Sequence, residues 1–134
     1  DVQEFVNRFV VFILMGNTDA HLKNWAMVYP NGIEPVLAPV YDPVCITAFF
    51  DSVPPSDYGV NRAVDAKLKV FSWEDLAQLL KLAQVPRAAR LVQVARATVK
   101  LAQKEWPSLL EAAPDSMRRV ILERLNGGVA LTRR

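Results

Sequence analysis

A chain of 134 residues, 51% hydrophobic and 22% charged, is long enough for one domain with a real core and needs neither disulfides nor metals to hold it. Its single cysteine, Cys45, cannot form an internal disulfide, and no apolar run reaches the ~18–20 residues of a membrane span, so a disulfide scaffold and a membrane-spanning helix are excluded. The net charge of +2 hides an asymmetry: residues 1–61 carry two Lys/Arg against seven Asp/Glu, and residues 62–134 carry fourteen against seven.

Val2, Phe5, Val6, Phe9, Val10 and Ile13 recur at helical spacing and predict a helix from Asp1 to Met15. The added Val11, Phe12, Leu14 and Met15 make its second half apolar all round, which places that half in the core. Gly16 ends it. The chain begins at Asp1 with no basic segment before an apolar stretch, which reads as a fragment or processed product rather than a signal peptide. Residues 16–24 are polar and read as a loop held on a rigid support. Trp25–Tyr29 and Ile33–Tyr41 predict two strands of a β-hairpin, joined by a three-residue turn at Pro30-Asn31-Gly32. The stretch after Pro43 reads as a short helix or irregular chain. Residues 53–61, with Pro54, Pro55 and Gly59, read as an exposed loop, and residues 63–71 alternate weakly without declaring a state.

Ser72 with Asp75 three residues on resembles a capping box and opens a helix to about Gln84, with Leu76, Leu79, Leu80 and Ala83 on one face. Pro86 suits the first turn of the next helix, which runs to about Glu105 with Leu91, Val94, Ala95, Thr98, Leu101 and Ala102 inward and is interrupted by Pro107. A helical turn follows over 108–112. Asp115 opens the last helix, with Val120, Ile121 and Leu125 inward; Gly127-Gly128 ends it, and the tail from Val129 is expected to fray. Trp25, Trp73 and Trp106 read as core or helix-end anchors, and Cys45 as a small buried hydrophobe.

The chemistry concentrates in Gly16-Asn17-Thr18-Asp19-Ala20-His21-Leu22-Lys23-Asn24 and in Tyr41-Asp42-Pro43. Asp19 is followed by Asn24 at +5, and Asp42 stands at the end of the next apolar run. Kinases use this order: an aspartate base, an asparagine metal ligand at +5 and a later aspartate on magnesium. Asp19 would orient an acceptor hydroxyl and take its proton. Asn24 and Asp42 offer the hard oxygens that suit magnesium. Lys23 could lean on the transferred phosphate, and His21 could orient Asp19 or pack beneath the loop.

These segments, with Trp25 and with Leu37-Ala38-Pro39-Val40 leading into Tyr41-Asp42, resemble the C-terminal domain of the HipA-like serine/threonine kinases, the toxins of bacterial type II toxin–antitoxin pairs. The resemblance implies an α+β, mainly α fold: the helical lower lobe of a protein-kinase-like enzyme, with a small β-hairpin beside the catalytic loop. It implies Asp19 as catalytic base, with His21 and Lys23 beside it, and Asn24 and Asp42 as ligands of magnesium in complex with ATP. It implies a bacterial cytoplasmic protein whose partners are a protein substrate, of which an aminoacyl-tRNA synthetase is one family example, and a DNA-binding antitoxin through which alone it would meet DNA. Residues 1–134 would then be the lower lobe alone, nearly inactive without an upper nucleotide-binding lobe. Two departures stand out: Asn17-Thr18 precede Asp19 where eukaryotic protein kinases have His-Arg, and Pro43-Val44 follow Asp42 in place of Phe-Gly. The competing reading is a non-catalytic helical module that binds a protein or nucleic acid through its basic second half.

Overall fold

The computed structural model describes residues 1–57 and 61–133. The chain is mainly helical, with five α-helices and one two-stranded antiparallel sheet among those residues. Gly59 of the predicted loop, and Arg134, lie outside the described residues.

Helix α1, Val2–Met15, is the pillar. Val6, Val10, Phe12, Ile13 and Leu14 are buried, as its apolar second half requires. It packs principally against α4, Ala88–Leu109. Gly16 closes α1 in the left-handed conformation (φ 70°), and the amides of Gly16 and Asn17 bond back to the carbonyls of Ile13 and Phe12. A Cβ at Gly16 would stand 2.0 Å from Thr47 Oγ1, so the position requires glycine twice over: for its φ and for its space.

The hairpin is shorter than the sequence suggests. Strands β1 (Met27–Val28) and β2 (Val36–Leu37) pair Met27 with Leu37 and Val28 with Val36. The connection therefore spans 29–35 in place of a three-residue turn. Asn31 Oδ1 accepts from the amides of Ile33 and Glu34, which folds the tip onto itself, and Pro30 and Pro35 can donate nothing to a ladder. Arg8 of α1 donates to the Ala38 carbonyl at 2.6 Å and fastens the end of β2 to the pillar. After the hairpin, Ile46–Phe49 form a single 3-10 turn, as the ambiguous composition there allowed.

The weakly patterned segment resolves as helix α2, Arg62–Val70. Asn61 caps it by accepting from the Val64 amide, and its buried position is a charged one, Asp65, so apolar periodicity could not disclose it. Helix α3, Trp73–Leu82, carries the complete capping box: Ser72 accepts from the Asp75 amide at 3.1 Å and Asp75 accepts from the Ser72 amide at 2.8 Å. Leu76 and Leu80 are buried, but Leu79 is exposed.

Helix α4 starts at Ala88, after Arg87 in a left-handed N-cap, and runs through Pro107 to Leu109. The proline therefore does not interrupt it. Its inner face is Leu91, Val92, Ala95, Val99 and Ala102, whereas Leu101 is 60% exposed, a rotation of the stripe from the sequence reading. The final helix α5, Asp115–Glu123, leads into one wide turn, Arg124–Gly128. The tail then folds back rather than fraying: Val129 is fully buried, Leu131 and Thr132 are buried, and Thr132 Oγ1 donates to the Arg124 carbonyl at 2.6 Å. No helix among the described residues is long and apolar enough to cross a membrane.

Candidate functional site

The loop of residues 16–24 stands directly on the buried end of α1. Asn17 and Thr18 are buried, Asp19 is half-exposed, and His21, Leu22 and Lys23 face solvent. Asn17 Oδ1 accepts from the Asp19 amide at 3.0 Å, which pins the aspartate backbone from below. A 3-10 turn over Leu22–Asn24 then brings Asn24 back, so that its side-chain Nδ2 donates to the Asp19 carbonyl at 2.7 Å. Trp25 Nε1 donates to the Ala20 carbonyl at 3.2 Å, and its ring lies against Phe5 and Phe12 with centroids 4.7 and 5.4 Å apart. The five-residue spacing between Asp19 and Asn24 is thus a closed turn.

The orientation of Asn24 follows from that bond. Its amide nitrogen faces a carbonyl, so its Oδ1 is the outward atom, and it accepts no hydrogen bond among the described residues. Among the described residues the Asp19 carboxylate has one ionisable neighbour, His21, whose Nε2 lies 3.7 Å from Oδ1. Lys23 and Asp42 are both exposed, and neither side chain enters an ion pair or hydrogen bond among the described residues. Asp42 sits at φ 51°, in the left-handed region that Asp tolerates better than most residues.

The hairpin returns the chain to this loop. Tyr41 Oη donates to the Lys23 carbonyl at 2.7 Å, so the residue before Asp42 is joined to the residue before Asn24. Beside Asp19 opens a cleft of about 590 Å³, lined by Asp19, His21 and Leu22 together with Phe9, Trp25 and Leu68. Lys23, Asn24 and Asp42 do not line it. The structure therefore separates an apolar cleft on the Asp19–His21 side from the Asn24 and Asp42 oxygens. Among the described residues, no cluster of three or more His, Cys, Asp or Glu could hold a metal unaided.

Behind the loop lies a charge pair that the sequence reading missed. Arg124, 1% exposed, donates through Nε to the Ile13 carbonyl at 2.7 Å and through Nη1 to Asp65 at 2.7 Å; its Nη2 has no partner among the described residues. A cation here sits at the negative end of the α1 dipole, three residues before Gly16. Neither residue carried a sequence signal, because each looked like one more charge on a solvated helix. Asn17 was findable, since an Asx side chain commonly accepts from the backbone amide two residues on. Cys45 is buried as expected, and burial pushes its thiol pKa up, partly offset by Thr47.

Residues 1–106 match the family model described as the HipA-like C-terminal domain. The chain is 32% identical over 106 residues, 79% of its own length, to a protein of Sinorhizobium fredii named "Putative kinase Y4dM", and 38% identical over 47 residues to a protein of Haemophilus influenzae named "Putative kinase". The match spans 25% of the first relative and 14% of the second, so the chain corresponds to about a quarter of the length of the former. No solved structure gives a significant match.

Proposed function

The chain belongs to the HipA-like C-terminal domain family, and from that premise we propose that it forms the lower, catalytic lobe of an ATP-dependent protein serine/threonine kinase. The observation that carries this reading is the Asp19–Asn24 turn. One hydrogen bond fixes the asparagine so that its oxygen is free, and leaves the aspartate carboxylate half-exposed beside a cleft.

Each residue then has a role. Asp19 accepts the hydrogen bond of the acceptor hydroxyl and takes its proton as the phosphoryl group transfers. His21, 3.7 Å away, biases the orientation of that carboxylate. Asn24 Oδ1 and the Asp42 carboxylate supply two hard oxygens, the number that magnesium usually takes from a kinase site, with phosphates and water completing its shell. Bound there, magnesium would neutralise charge on the phosphates. Lys23, exposed in the same 3-10 turn as Asn24, adds a cation beside it. These 134 residues carry no glycine-rich phosphate loop, so in this reading the phosphates would be covered by an upper lobe that these residues do not form. The toxin role, the antitoxin partner and the synthetase class of substrate belong to this proposal through the family alone.

The test is phosphotransfer from labelled ATP by the full gene product. Asp19→Asn, which keeps size and backbone, should lower kcat by about 10²–10⁴, the usual contribution of a positioned base. Its circular dichroism should match the wild type. Activity within a few-fold of wild type would remove Asp19 from the chemistry.

A further inference from the structure

On the face formed by α3, α4 and the C-terminal tail lies a second cleft, of about 500 Å³, that the kinase reading does not use. Among the described residues its charged lining is wholly basic: Arg96 and Lys100 from α4, and Arg133 from the tail. None of the three enters an ion pair among the described residues, whereas Lys69, Lys104, Arg118, Arg119 and Arg124 all do. Arg96 and Lys100 are one helical turn apart, so they share a face of α4, and Gln103 continues it. The Arg96 guanidinium lies over the Trp73 ring at 4.5 Å from its centroid. Stacking holds the guanidinium plane while leaving its N–H edge free to donate in a bidentate fashion. The tail that delivers Arg133 is itself anchored by buried Leu131 and Thr132, and Arg133 Nε donates to the Gly127 carbonyl at 3.3 Å.

Three unneutralised cations around one cleft suit a compact dianion. A planar Arg fork, a Lys point charge and a second Arg match the three oxygens of a phosphomonoester. A nucleic-acid backbone would need a track of cations. On α4 the next cation, Lys104, one turn beyond Lys100, lies outside the cleft and is paired with Glu105 at 2.9 Å, and Gln103 lines the cleft in place of a third charge. Val99 and Leu131 form the buried floor of the cleft, and half-buried Trp73 at its wall gives the residues flanking a phosphorylated side chain an apolar surface to lie on.

We propose that the Arg96–Lys100–Arg133 cleft is a recognition site for a phosphorylated serine or threonine carried on a protein segment. This inference does not depend on Asp19, Asn24 or Asp42.

The experiment is calorimetric titration of the chain with a phosphoserine peptide and with its unphosphorylated twin. The phosphopeptide should bind about tenfold tighter or more, and Lys100→Gln and Arg133→Gln should each remove most of that difference. Both positions are exposed, so these variants should fold normally. Lys104→Gln, on the same helix but outside the cleft, should bind as the wild type does. Arg96→Lys keeps the charge but gives up the fork, and should weaken binding severalfold. Equal affinity for the two peptides would overturn the proposal, as would an equal loss in Lys104→Gln. Inorganic phosphate binding as tightly as the peptide would overturn the assignment to a protein-borne group. A single-stranded oligonucleotide displacing the peptide at lower concentration than the peptide itself would overturn it in favour of polyanion binding.

Discussion

Removing Asp65 while leaving Arg124 in place should be among the most damaging changes outside the loop. Arg124 is 1% exposed, and among the described residues its charge is met by a single carboxylate, by the Ile13 carbonyl and by nothing at Nη2. Lys69 also reaches Asp65, at 3.5 Å, so Asp65→Ala strands two cations, one of them wholly buried. Breaking a buried pair by deleting one partner costs about 3–5 kcal/mol, a large part of the ~5–15 kcal/mol that holds a domain together. The double variant Asp65→Leu with Arg124→Met removes both charges and should recover most of that loss. Urea unfolding followed by circular dichroism measures both. Because Arg124 also holds the last turn of α1, amide exchange at Gly16–Asp19 should speed up in the single variant before global unfolding does. A loss below ~1 kcal/mol for Asp65→Ala would refute the idea that this pair carries an uncompensated burial penalty.

Gly16→Ala should destabilise by more than ~2 kcal/mol, combining left-handed strain with overlap onto Thr47 Oγ1, and thermal melts should show the loss; Thr47→Ala should relieve part of it. Asn24→Leu removes the bond to the Asp19 carbonyl, and should cost about 1 kcal/mol in denaturant titration while lowering phosphotransfer far more. The carboxyl of Asp75 is held below the usual range, chiefly by the Ser72 amide and then by the Ser72 hydroxyl. Its contribution is therefore complete above the ordinary carboxylate pKa of ~3.9 and is lost as pH falls through the lowered value. Asp75→Asn should flatten that acid limb of the stability profile, measured by melts between pH 2 and 5.

Helix α1, its glycine stop and the Ser72 capping box were legible in the sequence, because each follows from local chemistry: apolar spacing, a residue free to take positive φ, and an Asx–hydroxyl exchange three residues apart. So were the candidate groups Asp19, Asn24 and Asp42, since their order along the chain is what suggests the chemistry. Helix α2, the unbroken α4 across Pro107 and the buried tail were not legible, because packing against distant elements decided them. A charged residue at the inner position of α2 defeats an apolar pattern, yet Arg124, 59 positions later, makes that position stable. Sequence fixes what each short segment prefers and which reactive groups the chain carries. Only the tertiary fold determined that Asn24 turns its nitrogen inward, that Tyr41 brings the hairpin back to the loop and that an arginine from the far end braces the helix beneath it. Those outcomes rest on hydrogen bonds and ion pairs between residues 5 to 111 positions apart, and no local propensity encodes such partners.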